Sequence, residues 1–348
     1  MRTSDFDYYL PQDMIAQSPV EPRDSSRLMS VDRVTRTLDH QFFYNIVDLL
    51  KPGDLLVVND SRVIPARLKG HRVPSGGRIE ILLLNNIGPG TWKALVKPGK
   101  RLVEGEYFDI NGVAGWVVDD PGDGTKVIHL DDEKVIRNVG EIPLPPYIKT
   151  PLANPDRYQT VYAKTEGSAA APTAGLHFTT ELLEILRLKG VELTSVMLHV
   201  GLDTFKPMEV DDPLSHKIHS EYFEFGDLAA KQVNAAQNED RRIICVGTTT
   251  MRVLEQVAVN ASHKNQHALQ PQSGWADLFI LPGHKFQVAS GLITNFHLPK
   301  SSLLMLVAAF MGNAVSNKSG LNLLTKAYEE AKSTGYRFYS FGDCMFIS

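Results

Sequence analysis

Only two cysteines occur in the 348 residues, Cys245 and Cys344, and both lie in apolar segments. Without a Cys-x-x-Cys spacing they exclude a disulfide framework and a cysteine-based zinc site, and they read as buried thiols of a reduced, cytoplasmic protein. No apolar run reaches the roughly 18 residues that a membrane span requires. The N-terminal stretch "MRTSDFDYYLPQDMIAQ" has neither the basic start nor the apolar middle of a secretory signal. An excess of one charge is missing too: 36 basic against 40 acidic residues leave a formal net charge of −4. No global field therefore draws in a polyanion, and any contact with nucleic acid has to come from a local basic patch. Gly-x-Gly-x-x-Gly, a Walker lysine, Gly-x-Ser-x-Gly, His-Glu-x-x-His and the kinase signature set are all absent, which removes the standard nucleotide-phosphate loop, serine-hydrolase elbow and zinc-protease helix.

What is present is ample core. Hydrophobic residues make up 43% of a chain long enough for two domains. Residues 1–60 mix short elements: "HQFFYNIVDLLKPGDLLVVND" reads as a helix ending near Leu50, a Pro-Gly turn, and a strand from Leu55 to Asn59. Over residues 61–148 the texture changes to short β-rich runs ("VIPARL", "RIEILLL", "WKALV", "YFDI", "GWVVD", "KVIHL") separated by Gly and Asp/Asn turns, the rhythm of an antiparallel sandwich or small barrel. Five prolines from Pro143 to Pro155 make "EIPLPPYIKTPL" and its continuation an extended connector. From there the pattern is α/β. A Thr179- or Thr180-capped helix stops at Gly190, "VELTSVMLHV" is a strand, and a helix opens at Asp227. "RRIICVG" is a strand running into the helix "TTTMRVLEQVAV", and "YRFYSFGDCMFIS" closes the chain as a strand. The expected fold class is an α/β domain, residues 1–60 and 149–348, carrying an inserted antiparallel β-barrel domain, residues 61–148.

Five segments place small and polar residues beside apolar elements. In "EGSAAAPTAGLHFTTELL" small residues permit close backbone approach, Gly175 permits a positive φ, and His177 stands just before a helix; the alternatives are a tight entry loop or a ligand cradle. In "CVGTTTMRVLE" a strand, Gly247 and three threonines at a helix start offer free amides to an anion, with Arg252 one turn in as a bidentate partner. "HVGLDTFKPMEVDDPLSHKIHSEYFEF" holds His199, His216, His219 and Glu221 at a spacing that matches no standard zinc signature. Glu221 beside Tyr222 and Phe223 is either an edge-strand surface carboxylate or a desolvated general base. In "TNFHLPKSSLLMLVAAFMGN" a polar turn with His297 and Lys300 leads into a wholly apolar helix, as a cap or as the wall of a site. In "YSFGDCMFI", Asp343 has either a structural salt bridge, with Arg337 or Arg252, or a catalytic role.

These segments, in order, resemble the S-adenosylmethionine:tRNA ribosyltransferase-isomerase family of queuosine biosynthesis. The resemblance runs from "FDYYLPQDMIAQSPVEPRDSSRLM" through "GDLLVVNDSRVIPARL", "YQTVYA", "GSAAAPTAGLHFT", "HVGLDTF", "HSEYFE", "VGTTTMR" and "GLITNFHLPKSSLLMLVAAF" to "YRFYSFGDCMFI", essentially the whole chain. Departures from the family pattern are Ala169 for valine, Asp203 for glycine and Cys344 for alanine. The resemblance implies a barrel inserted in an α/β domain. It also implies transfer and isomerisation of the ribosyl group of S-adenosylmethionine onto 7-aminomethyl-7-deazaguanine in a tRNA anticodon, giving epoxyqueuosine-tRNA, adenine and methionine. S-adenosylmethionine is then a substrate rather than a bound cofactor, no metal is needed, and the partner is the anticodon stem-loop of tRNA, met by a monomer. The sulfonium acidifies the C5′ protons, adenine must leave protonated and the attacking amine must be neutral, so a base and an acid are required. His177, Glu221 and Asp343 are expected to share those roles. Thr173, Gly175, Gly247, Thr248, Thr249 and Arg252 are expected to hold S-adenosylmethionine, and Arg62, His297 and Lys300 to meet tRNA. Competing readings are a non-catalytic RNA-binding barrel, which its few aromatics (Trp92, Tyr107, Phe108, Trp116) disfavour, and a methyltransferase, which lacks its glycine-rich turn here.

Overall fold

A computed structural model describes residues 1–201, 207–216, 218, 220–312 and 317–348. Asp203 and His219, singled out above, lie outside the described residues.

Strands with unbroken burial build the centre of the molecule. Leu55–Asn59, Ile243–Val246, Gly291–Asn295 and Cys344–Ile347 are buried at every position, as expected of strands covered on both faces. They belong to a nine-stranded mixed sheet. Its order is Gln272–Ala276, Glu221–Phe225, Glu192–Leu198, Leu55–Asn59, Ile243–Val246, Gly291–Asn295, Cys344–Ile347, Arg27–Val31, Leu38–Phe42. Glu192–Leu198, Leu55–Asn59, Ile243–Val246 and Gly291–Asn295 are parallel neighbours, in a register that pairs Val57 with Thr194 and with Cys245. Helix Thr180–Leu188 packs on one face through Leu182 and Leu186, against Leu56, Val58, Ile244 and Val246. Helices Asp227–Asn238, Thr248–His263, Ser302–Met311 and Asn317–Ser333 cover the other face. The Thr179 hydroxyl caps helix Thr180–Leu188 by accepting from Leu182 N at 3.0 Å, and Ser301 caps the apolar helix Ser302–Met311 through Leu304 N at 3.2 Å. No helix among the described residues is long and apolar enough to cross a membrane.

The alternating segments behave differently. Arg67–Val73, Arg78–Gly88 and Thr91–Lys97 bury every second residue over much of their length. Together with Tyr107–Ile110, Val113–Asp119 and Lys126–Leu130 they close a six-stranded antiparallel barrel. Leu68, Ile81, Leu83, Ala94, Phe108, Ile110, Val117, Ile128 and Leu130 fill its interior, the two-residue period of a small closed sheet.

Local expectations fail where pairing partners decide the outcome. "VIPARL" is split: Ser61–Val63 pairs in parallel with Thr165–Ser168 in a separate ribbon, and only Arg67 onward enters the barrel. The helix expected before Leu50 is a 3-10 turn, Phe43–Asn45, and one helical turn, Ile46–Leu49. The turn before the apolar helix begins later than its polar residues suggest: Thr294 and Asn295 end a buried strand, and their side chains are bonded to His297 and to Thr173.

Candidate active site

The chain leaves Leu55–Asn59 toward the neighbour on one side, Glu192–Leu198, and leaves Ile243–Val246 toward the neighbour on the other, Gly291–Asn295. Connections diverging from adjacent parallel strands open a crevice at their carboxyl ends. Asn59, residues 198–201, residues 247–249 and Asn295 arrive there. Asn59, absent from the expected site, stitches this edge together. Its amide accepts from Ser61 N and Leu198 N, each at 3.1 Å, and donates to Leu198 O at 3.0 Å and Thr249 Oγ1 at 3.4 Å. An asparagine ending the apolar run "LLVVN" was the available signal.

Gly247 takes φ 92°, a backbone that favours glycine, and precedes the 16-residue helix Thr248–His263. The three threonines divide their work. Thr250 turns inward and donates to Val246 O at 2.8 Å, whereas Thr248 and Thr249 face open space at the positive end of the helix. On one side of them lies a pocket of about 40 Å³ lined by Thr173, Asn295, His297, Leu303 and Tyr339, room for little more than water. On the other side is a cavity of about 760 Å³, bounded by the α/β residues His199, Gly201, Glu221, Arg252 and Trp275 and by the barrel residues Asn85, Lys93 and Asp123. A second cavity of about 890 Å³ shares Asn85, His199 and Trp275 with it and is lined further by Arg62, Trp92, Glu133 and Arg137. Both volumes suit a nucleoside-sized ligand. Glu133 is oriented there by Trp92 Nε1 at 2.8 Å and Asn86 Nδ2 at 3.1 Å.

The expected site residues do not all reach this cleft. Glu221 does, but the isolated, desolvated base read from its aromatic neighbours is one half of a buried ion pair. Its Oε2 meets Arg252 Nη1 at 2.6 Å and its Oε1 accepts from Gly201 N at 2.8 Å. The same pair corrects Arg252: its fork is turned to Glu221 and to the carbonyls of Ala276 and Leu278, at 2.7 and 3.1 Å, rather than toward a bidentate ligand. His177 is walled in behind the cleft. Nδ1 shares a hydrogen bond of 2.7 Å with Ser26 Oγ, and Nε2 one of 3.2 Å with the Asn295 amide. Burial, with a smaller push from Arg337 and Arg23, lowers its pKa to about 3, so the ring is neutral and fully bonded. It positions Asn295, which in turn accepts from Thr173 Oγ1 at 3.0 Å.

Asp343 also lies behind, lining neither large cavity. Its oxygens accept from Arg27 N at 2.9 Å and Arg337 N at 2.8 Å, with the Arg337 guanidinium 3.9 Å away. Burial raises its pKa and those backbone donors partly offset the rise. Gly175 is a glycine for a different reason from the expected one: φ is not left-handed, but a Cβ there would sit 2.0 Å from the Tyr162 hydroxyl. His297 is buried, bonded at 2.7 Å to Thr294 Oγ1, and lowered by burial to about 3, so it brings no positive charge to a phosphate. Lys300 pairs with Asp7 at 2.8 Å and ties the N-terminal segment down. Arg62, half-buried, lines the second cavity and has no ion pair among the described residues. Among those residues, no group of three His, Cys, Asp or Glu side chains is arranged to hold a metal ion.

A crevice at diverging parallel strands, with a helix N-terminus beside it and barrel residues on its far wall, is the candidate site of an α/β fold that carries a small barrel, and it has room for a nucleoside-sized ligand. The chain belongs to the queuosine biosynthesis protein family, whose model matches residues 3–347. It is 53% identical over 354 residues to the S-adenosylmethionine:tRNA ribosyltransferase-isomerase of Dehalococcoides mccartyi, covering 100% of both chains. It is 50% identical over 353 residues to the protein of the same name from Clostridioides difficile, again covering 100% of both. Among solved structures, a crystal structure of S-adenosylmethionine tRNA ribosyltransferase from Thermotoga maritima is similar, with a TM-score of 0.56 at 36% identity over 99% of this chain and 100% of that one.

Proposed function

We propose that this protein is an S-adenosylmethionine:tRNA ribosyltransferase-isomerase. It transfers and isomerises the ribosyl group of S-adenosylmethionine onto 7-aminomethyl-7-deazaguanine in a tRNA anticodon, giving epoxyqueuosine-tRNA with release of adenine and methionine. Similarity over the full length of both chains to curated proteins of that name carries the reading. S-adenosylmethionine and tRNA are substrates; neither metal nor resident cofactor is assigned a role.

The cleft supports a division of labour. The amides at Thr248 and Thr249 suit the methionine carboxylate, placing the ribosyl group and sulfonium in the cavity walled by Glu221 and the Arg252 pair. The second cavity, with Arg62, Lys134 and Arg137 on its rim, suits the RNA nucleotide and its phosphates. In this reading residues 61–148 form an inserted domain that closes the site over residues 1–60 and 149–348, and the RNA is the anticodon stem-loop. The enzyme works as a cytoplasmic monomer. Incubation with S-adenosylmethionine and tRNA bearing the aminomethyl base tests the assignment. Free adenine is expected; S-adenosylhomocysteine would mean methyl transfer instead, and neither product would leave RNA binding without catalysis.

A further inference from the structure

His199 directly follows the strand Glu192–Leu198 and sits where the two large cavities meet, lining both. Its backbone N–H donates to Tyr222 O at 3.0 Å, and its ring stacks on the Tyr222 ring with centroids 6.4 Å apart and planes 27° apart. Gly167 makes room for it. That glycine has φ +135°, and a Cβ there would lie 2.7 Å from His199 Nε2 and 2.8 Å from Cε1.

Other covered histidines each have at least one ring nitrogen engaged: His177 both, by Ser26 and Asn295, and His297 and His284 their Nε2, by Thr294 and Glu255. His199 differs. Among the described residues neither ring nitrogen has a hydrogen-bond partner; Nδ1 is sealed from solvent, and Nε2 is not. Leaving a buried polar group unpaired costs about 1–3 kcal/mol, so each such group calls for a partner, and for one lining a cavity that partner is water or a ligand. Burial also lowers the basicity of the ring, which keeps it neutral with a lone pair to offer.

We propose that His199 is a catalytic residue of the ribosyl transfer: the base whose Nε2 takes the C5′ proton of S-adenosylmethionine. This rests on the ribosyltransferase reading. In the step, the C5′–H bond breaks and its electron pair stays on C5′ as an ylide beside the sulfonium. The proton bonds to Nε2, and imidazole becomes imidazolium. His177 is excluded from the step because both its nitrogens are bonded behind the cleft. Glu221, held by Arg252, then serves to fix the wall rather than to take this proton.

The test uses the full-length protein, tRNA bearing the aminomethyl base, and S-adenosylmethionine deuterated at C5′. His199→Ala is expected to slow adenine release about 100-fold or more, to bind S-adenosylmethionine within about threefold of wild type, and to regain activity with added imidazole. Deuterium washout from C5′ into water should fall in parallel. His199→Asn, which keeps a polar group against Tyr222 but cannot hold the proton, is expected to show the same loss and serves if the alanine variant does not fold. Adenine release near the wild-type rate in either variant overturns the proposal. So does slow release with undiminished deuterium washout. If the wild-type protein itself releases no adenine, the ribosyltransferase reading fails first, and the inference goes with it.

Discussion

Replacing Glu221 by glutamine separates two roles that one residue can play. A base that is merely desolvated can lose its charge with little effect on folding. A carboxylate bonded to Arg252 at 2.6 Å, with both side chains buried, cannot. Removing one partner of a buried pair strands the other charge, at about 3–5 kcal/mol. The glutamine carbonyl still accepts from one guanidinium N–H, so the lower end, about 3 kcal/mol, is the expected loss. At roughly 2 °C per kcal/mol for a domain of this size, the melting temperature should fall by about 6 °C. Thermal unfolding of the single variant measures this, and Arg252→Met together with the double variant Glu221→Gln/Arg252→Met completes the cycle. With no orphan charge the double variant should lose less than the two single variants together, a coupling of about 2 kcal/mol or more, although Arg252→Met also frees the carbonyls of Ala276 and Leu278. A Glu221→Gln variant that melts within a degree or so of wild type, or single losses that simply add in the double variant, refutes the ion-pair reasoning.

Gly175→Ala should destabilise by about 1–3 kcal/mol through overpacking against the Tyr162 hydroxyl, seen as a lower urea midpoint. His177 and His297 have pKa values lowered by burial to about 3 from an ordinary 6.5. Between those values the unfolded chain binds protons that the native state refuses, so stability should fall as pH drops through that window. The slope is about 1.4 kcal/mol per pH unit for each histidine, and urea midpoints at pH 7 and pH 5 check the sign. Asp343, raised by burial, opposes this only in the carboxylate range. Arg62→Ala should weaken tRNA binding and shallow its salt dependence by about one ion while leaving S-adenosylmethionine affinity unchanged, measured by titration at several salt concentrations. Lys300→Ala removes a half-exposed pair with Asp7 and should cost no more than about 1 kcal/mol, with tRNA affinity unaltered.

Much of the architecture was legible along the chain because it depends on local periodicity. Alternation marked the barrel strands, and apolar runs marked the central sheet strands Leu55–Asn59 and Ile243–Val246. Thr179, Thr180 and the polar turn before the apolar helix marked helix starts, and the structure makes Thr179 and Ser301 the caps. The long, compositionally odd motifs were enough for the family. The site was legible only in part. "VGTTTMR" marked a helix start that the structure places beside two cavities, yet the reason for three threonines emerged only when Thr250 was seen bonded back to Val246.

What the sequence by itself determined, then, is the type of most strands and helices and the family they compose, since both follow from residues near one another in the chain. Tertiary structure alone decided who faces whom at the carboxyl edge of the sheet. Glu221 and Arg252 are 31 residues apart, His177 and Ser26 are 151 apart, and His177 and Asn295 are 118 apart. Strand order brings these partners together, and strand order leaves no periodic trace in sequence. The same polar residue type is therefore walled in and fully bonded as His177, and without a partner among the described residues at the cavity junction as His199, for reasons that no local pattern carries.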